Sequence, residues 1–127
     1  ALSPAEARQK LCMSIKSGEN LFGVRLKESH CFIGLIYIEP YYDTEFYEIS
    51  YEFLPNFWGK GYTYEVMKAC LEYCKKEKNL NFVVAETQKK NVRSRKLLER
   101  LGYQLVSKTT RFQARQTIYR ICLKDTM

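Results

Sequence analysis

The sequence predicts an α/β (α+β) fold, a mixed, twisted sheet flanked by helices. Three observations predict it. Short stretches rich in β-branched and aromatic residues recur along the chain. In one of them Phe46, Glu48, Ser50 and Glu52 alternate with Tyr47, Ile49, Tyr51 and Phe53, the period of a strand. A stretch with helical spacing, Thr63 to Lys78, and a second expected helix, Asn91 to Leu101, flank a strand-like segment, Leu80 to Glu86. A strand, a helix and a second strand in that order call for a right-handed crossover between parallel neighbours.

The elements follow in order. Ser3-Pro4-Ala5-Glu6 has the form of a capped helix start, so a helix is expected from Ser3 to about Ser17, with Gly18 ending it. Leu21 to Leu26 and Cys31 to Ile38 read as a hairpin around the polar turn Lys27 to His30. Pro40 to Thr44 breaks the pattern, Glu45 to Leu54 is the next strand, and Pro55 ends it by removing a ladder donor. From Thr63 to Lys78, the residues Val66, Met67, Cys70, Leu71 and Cys74 make one apolar helical face. Asn91 to Leu101 is another helix, stopped by Gly102. Tyr103 to Lys108 and Thr117 to Leu123 close the chain as strands.

At 127 residues the chain suits one domain, and 46% hydrophobic residues suffice for a core. No apolar run approaches the ~20 residues of a membrane span. The first residues lack the basic and apolar regions of a secretory signal, so a soluble, cytoplasmic protein is expected. Five cysteines, an odd count without a C-x-x-C pair, are read as free thiols in a reducing compartment. His30, the one histidine, falls in a predicted turn, so no metal site is expected. The formal charge of +7 suits a polyanionic or phosphorylated partner. Lys75, Lys76 and Lys78, and the group from Lys89 to Arg100, read chiefly as solvated helix faces.

Trp58-Gly59-Lys60-Gly61-Tyr62-Thr63 lies between a strand's end and a helix's start. The first N–H groups of a helix lack internal partners, and the helix dipole is positive there. Gly59 and Gly61 let a phosphate approach those N–H groups, and Lys60 adds a charge. A nucleoside-triphosphate loop is excluded, because the glycines are too close and no Lys-Ser or Lys-Thr follows. A dinucleotide fingerprint is excluded by Tyr64 in the third glycine position. A tight turn without a ligand is the remaining rival.

This loop resembles the pyrophosphate loop of GNAT acetyltransferases, most closely the W-G-x-G-Y-A form of the ribosomal-protein N-acetyltransferase branch. Glu48 to Pro55 resembles that branch's fourth strand. Asn91-Val92-Arg93-Ser94 and Leu97 to Tyr103 resemble its N-x-x-S and L-E-x-x-G-[F/Y] helix. The resemblance runs from about Phe22 to Leu123, and the family's first strand and helix are expected to be absent before Ala1. Trp58 replaces the usual Gln or Arg, and Thr63 the usual Gly or Ala.

The resemblance implies an acetyl-CoA-dependent N-acetyltransferase with no metal, in which a primary amine attacks the thioester directly. In the family, acetyl-CoA lies where the fourth and fifth strands splay apart. That implies main-chain contacts from Phe53 and Leu54, with Trp58 at the head of the loop. It also implies a pyrophosphate seat on Gly59, Lys60, Gly61, Tyr62 and Thr63, and a contact from Asn91 to the cofactor arm. Arg95 and Lys96 are candidates for its ribose phosphate. A base is sought among Glu48, Glu52 and Glu86, with Glu48 ranked first. Many family members place a tyrosine acid seven residues after the Asn, but here that residue is Leu98. Ser94 is the substitute, with Tyr103 and Tyr119 as outside candidates. Tyr37, Tyr41, Tyr42, Tyr47 and Tyr51 are read first as half-buried sheet residues, and second as lining of an acceptor cleft. The acceptor, a small molecule or a protein N-terminus, is left open, as is the oligomeric state, a homodimer included. A non-catalytic CoA-binding or regulatory domain is one alternative. A basic RNA-binding module is another, disfavoured because the chain lacks an RNP-like aromatic run or a GXXG loop.

Overall fold

The structure, a computed structural model, describes residues 11–17 and 20–124. Seven strands form one sheet in the order β1-β2-β3-β4-β5-β7-β6. The strands are β1 (Leu11–Ser17), β2 (Leu21–Leu26), β3 (Phe32–Pro40), β4 (Tyr47–Phe53), β5 (Phe82–Gln88), β6 (Gln104–Arg111) and β7 (Ala114–Cys122). Helix α1 (Tyr62–Lys76) joins β4 to β5, and α2 (Val92–Leu101) joins β5 to β6. The β4–β5 pair is parallel, as the crossover required, and every other pair is antiparallel.

Two expectations are corrected. Leu11–Ser17 is a strand and not the end of a helix. Leu11, Met13 and Ile15 alternate with Cys12, Ser14 and Lys16, a period of two that pairing with β2 rewards. The expected cap at Ser3 and the stop at Gly18 lie outside the described residues. The last two strands are also longer than expected and are joined by a two-residue turn, Phe112-Gln113, both with positive φ (53° and 61°). Hairpin turns of this hand normally announce themselves by Asn-Gly or Gly-Gly. Nothing in Phe112-Gln113 does so.

Helix α1 buries the face read from its spacing, namely Val66, Met67, Cys70, Leu71 and Cys74. These side chains pack with Phe22, Ile36, Ile49, Phe53, Val83, Leu98 and Tyr119 in one core. Each large apolar side chain buried there contributes about 1.5–3 kcal/mol. Helix α2 begins at Asn91, whose carboxamide oxygen accepts the Ser94 N–H at 3.2 Å. It ends at Gly102 with φ 103°, and the Tyr103 N–H then bonds the Leu98 carbonyl at 3.0 Å, a Schellman-type stop. The Arg100 guanidinium stacks over the Tyr64 ring at 4.5 Å and ties α2 to α1.

Gly34 on β3 sits directly across from Phe53. A Cβ there would come within 2.6 Å of the Glu52 carbonyl oxygen and 2.9 Å of the Phe53 ring. Gly34→Val is therefore expected to destabilise the protein by about 1–3 kcal/mol, read as a lower midpoint in urea unfolding.

Candidate active site

Pairing between β4 and β5 covers only Tyr47 with Val83 and Glu48 with Val84. Beyond Glu48 the two strands separate. On its other edge β4 stays paired with β3 throughout, from Pro40–Tyr47 to Gly34–Phe53. The Leu54 N–H donates to the Ile33 carbonyl at 2.9 Å, so Leu54 faces β3. In an antiparallel ladder the main-chain groups of successive residues point to alternate sides. Phe53, Tyr51 and Ile49 therefore turn theirs toward the gap. Of the two edge residues expected, Phe53 faces the gap and the Leu54 amide does not. The Phe53 carbonyl accepts the Trp58 indole N–H at 2.7 Å, which fastens the head of the glycine loop to the strand edge.

The loop is open. Gly59 (φ 74°) and Gly61 (φ 82°) both adopt the left-handed conformation, and a Cβ on either would meet nothing within 4 Å. Gly59, Lys60 and Gly61 are exposed, while Tyr62 and Thr63 are half-buried. Gly61 is the N-cap of α1, and no side chain caps that helix. Its first N–H groups thus have no side-chain acceptor at the positive end of a 15-residue dipole. Lys60 lies over the Phe57 ring, and the Arg93 guanidinium lies 5.5 Å from the Trp58 ring centre. An unpaired strand edge running into an uncapped, cationic helix start fits acetyl-CoA, a chain of amides that ends in a diphosphate.

The parity of the strands sorts the remaining candidates onto two faces. Tyr47, Ile49, Tyr51 and Phe53 share the face that packs on the helices, and Glu48, Ser50 and Glu52 share the other. On the second face, the Glu48 carboxylate accepts the Glu86 N–H at 3.2 Å. Partial burial holds the Glu48 pKa above the usual carboxylate value; the Glu86 N–H opposes that, and the charges of Glu86 and Glu39 add to it. Glu86 is committed elsewhere. Its oxygens lie 3.1 and 3.0 Å from Arg111 Nε, and one accepts the Tyr41 hydroxyl at 2.6 Å. Burial and that carboxylate push the Tyr41 pKa up to about 12. Glu52 is exposed. Among the three glutamates, Glu48 combines partial burial, a raised pKa and a place at the point where β4 and β5 part.

On the helix face, Ser94 Oγ lies 3.0 Å from the Tyr51 hydroxyl. Sequence reasoning had Tyr51 as a sheet residue or cleft lining and missed this pairing, because the two residues are 43 positions apart. Asn91 is exposed beside them, its oxygen used as the cap of α2 and its amide group retained as a donor. Leu98 is 1% exposed and belongs to the core. Tyr103 and Tyr119 are buried as well. Burial raises the Tyr103 pKa strongly, and its hydroxyl makes no hydrogen bond within the protein. The Tyr119 hydroxyl is held by Arg95 Nε at 3.0 Å.

Arg95 itself is anchored a second time, on the Lys89 carbonyl at 3.0 Å. It lines an open pocket of about 450 Å³ between the end of β5 and the start of β7, with Lys89, Lys90 and Arg115. Arg93, and not Arg95, is the basic residue of α2 that reaches the glycine loop. Lys96 is exposed, and His30 sits exposed in its turn with φ 59°. Among the described residues, no three His, Cys, Asp or Glu side chains converge as metal ligands, and no helix is long and apolar enough to cross a membrane.

A family model described as an acetyltransferase (GNAT) domain matches residues 1–104. The chain is 35% identical over 99 residues to an uncharacterized N-acetyltransferase, YnaD, of Bacillus subtilis (strain 168), covering 76% of this chain and 58% of that protein. The chain thus spans little more than half the length of the curated relatives it matches. Among solved structures, a GNAT-family acetyltransferase from Bacillus anthracis superposes with a TM-score of 0.76 at 26% identity, over 84% of this chain and 68% of that one. The ribosomal-protein-S5-alanine acetyltransferase from Vibrio fischeri gives 0.74 at 18% identity, over 83% and 62% of the two chains, a likeness of fold.

The raised pKa of Glu48 sets a sign. A carboxyl that holds its proton more tightly when folded makes its contribution to stability at low pH and loses it as pH rises through the folded value. Ionised Glu48 is then a cost at neutral pH. Glu48→Gln, which can still accept the Glu86 N–H, is expected to raise the melting temperature at pH 7. The difference from wild type should vanish below about pH 3, well under the unfolded Glu value of ~4.3, where the carboxyl is protonated in the folded and the unfolded protein alike. Melting curves at the two pH values check this.

Proposed function

This chain belongs to the GNAT acetyltransferase family, and we propose that it carries an acetyl-CoA-dependent N-acetyltransferase activity on a primary amine. The observation that carries the reading is the gap between β4 and β5, open along the Phe53 edge and ending at the uncapped start of α1. Acetyl-CoA supplies the activated acetyl group. The chain's own groups bind it: the Phe53 edge for the amide arm, the N–H groups from Gly59 to Thr63 for the diphosphate, and Asn91 for the arm above α2.

Glu48 takes the proton of the attacking amine, directly or through one water, from the face of the sheet opposite the helices. A carboxylate with a raised pKa is better matched to that task than an ordinary one. Ser94, on the helix face, meets the departing sulfur. Base and acid on opposite faces suit a reaction in which the amine enters from one side and the thiol leaves on the other.

A protein N-terminal amine is the acceptor this arrangement favours. An α-amino group titrates near ~8, whereas a lysine amine titrates near ~10.4, so the first asks much less of a single carboxylate. The free thiols of Cys31, Cys70, Cys74 and Cys122 support a cytoplasmic setting.

Two variants of one residue test the phosphate seat. Both Gly61→Ala and Gly61→Glu strain a left-handed position, but only the second sets bulk and negative charge before the α1 N–H groups. Glu is expected to abolish the stabilisation that coenzyme A gives in thermal melts, while Ala retains part of it. A wild-type protein that coenzyme A fails to stabilise would sink the reading. Thiol release from acetyl-CoA across a panel of amines, peptides with free N-termini included, then tests the reaction. Glu48→Gln should lower turnover about 10²-fold with coenzyme A binding intact.

A further inference from the structure

Ser94 alone is a poor proton donor, since an aliphatic hydroxyl parts with its proton far less readily than a phenol. Its surroundings alter that. Its N–H is fixed on Asn91, which pins the first turn of α2. Its Oγ pairs at 3.0 Å with the Tyr51 hydroxyl. Tyr51 stands on the stretch of β4 that has no β5 partner, so the pair bridges β4 and α2 beside the gap. The Tyr51 ring is held edge-on to Phe53, with centres 6.5 Å apart, and packs against the core. One helical turn beyond Ser94, buried Leu98 offers no alternative hydroxyl.

Of two hydroxyls sharing one hydrogen bond, the more acidic is the better donor, and the phenol, with a reference pKa near ~10, is the more acidic here. Burial raises the pKa of Tyr51 and the hydrogen bond with Ser94 opposes that rise; the net shift is upward, so the phenol stays protonated at neutral pH. If the phenol donates to Ser94 Oγ, the serine's own proton is left free to point elsewhere. Accepting that bond also makes the serine proton easier to give up.

We propose that Tyr51 is a positioning residue for proton delivery, donating to Ser94 Oγ so that the Ser94 proton is directed at the departing sulfur. This rests on the acetyltransferase reading above. As the amine nitrogen bonds to the acetyl carbon, the carbon–sulfur bond breaks and sulfur keeps the electron pair. The Ser94 proton passes to sulfur, and the Tyr51 proton follows to Ser94 Oγ. Water then returns a proton to Tyr51, while the surplus amine proton leaves through Glu48 to solvent. One proton leaves the amine and one reaches the thiol.

Tyr51→Phe keeps the ring and its packing and removes only the hydroxyl. Thiol release from acetyl-CoA, with the best amine of the panel, should show kcat lowered about 10–10²-fold. The KM for acetyl-CoA should stay within about twofold of wild type. The double variant with Ser94→Ala should be no slower than Ser94→Ala alone. A second readout needs no turnover. The thiol of bound coenzyme A, titrated by its thiolate absorbance, should have a higher pKa in Tyr51→Phe than in wild type. Unchanged kcat and an unchanged thiol titration in Tyr51→Phe, with coenzyme A bound, would overturn the role of Tyr51 and leave the family reading standing. Losses that multiply in the double variant would overturn it as well. Failure of the wild-type protein to bind coenzyme A in calorimetry would instead overturn both.

Discussion

The structure depends on where one ladder stops. Two parallel strands that begin paired at Tyr47–Val83 and Glu48–Val84 and then diverge leave a row of main-chain groups without partners. An edge of this kind inside a sheet is costly unless water or a ligand satisfies it. Here the chain satisfies one group itself, by placing the Trp58 indole on the Phe53 carbonyl. The rest stays available. Because α1 follows β4 after a connection that holds one 3-10 turn, Pro55–Phe57, the same divergence brings the bare helix start to the end of the bare edge. Two kinds of unsatisfied backbone are thereby lined up along one ligand-sized path.

The sheet's alternation does further work. A strand forces neighbours onto opposite faces, so Glu48 and Tyr51 cannot share one. The face carrying Tyr51 is covered by α1 and α2, and this brings Ser94 within reach. Glu48, on the other face, is part-buried and accepts the Glu86 N–H from β5. Three glutamates in sequence reduce to one in space, because Arg111 and Tyr41 hold Glu86 while Glu52 lies exposed. Arg111, which holds Glu86, lies 25 residues from it, on β6.

Much of this was legible in the residues. The apolar face of α1 follows a period of 3.6, and β4 follows a period of two. The glycine loop declares itself by its place between a strand and a helix. Less legible were features set by distant contacts. The strand at Leu11–Ser17 was overridden by a capping signal that precedes it, although its own alternation was there to be counted. The turn at Phe112-Gln113 has no small residue to announce it, and the pairing of β6 with β7 imposes it instead. The Tyr51–Ser94 pair cannot be read at all from spacing, since it depends on which way α2 lies across the sheet.

The places where local rules are broken coincide with the site. Gly59 and Gly61 hold a conformation that costs other residues about 1–2 kcal/mol. Glu48 keeps a carboxylate where burial disfavours its charge. The first turn of α1 lacks the side-chain cap that Asn91 supplies to α2. A sequence selected for stability alone would have capped α1 and paired β4 to its end. On the proposed reading, each departure leaves something for an incoming molecule to complete: donors for an anion, an edge for amides, a base for an ammonium proton. Binding at this gap would supply the partners that the fold omits, so the free energy withheld from folding is recovered in the complex.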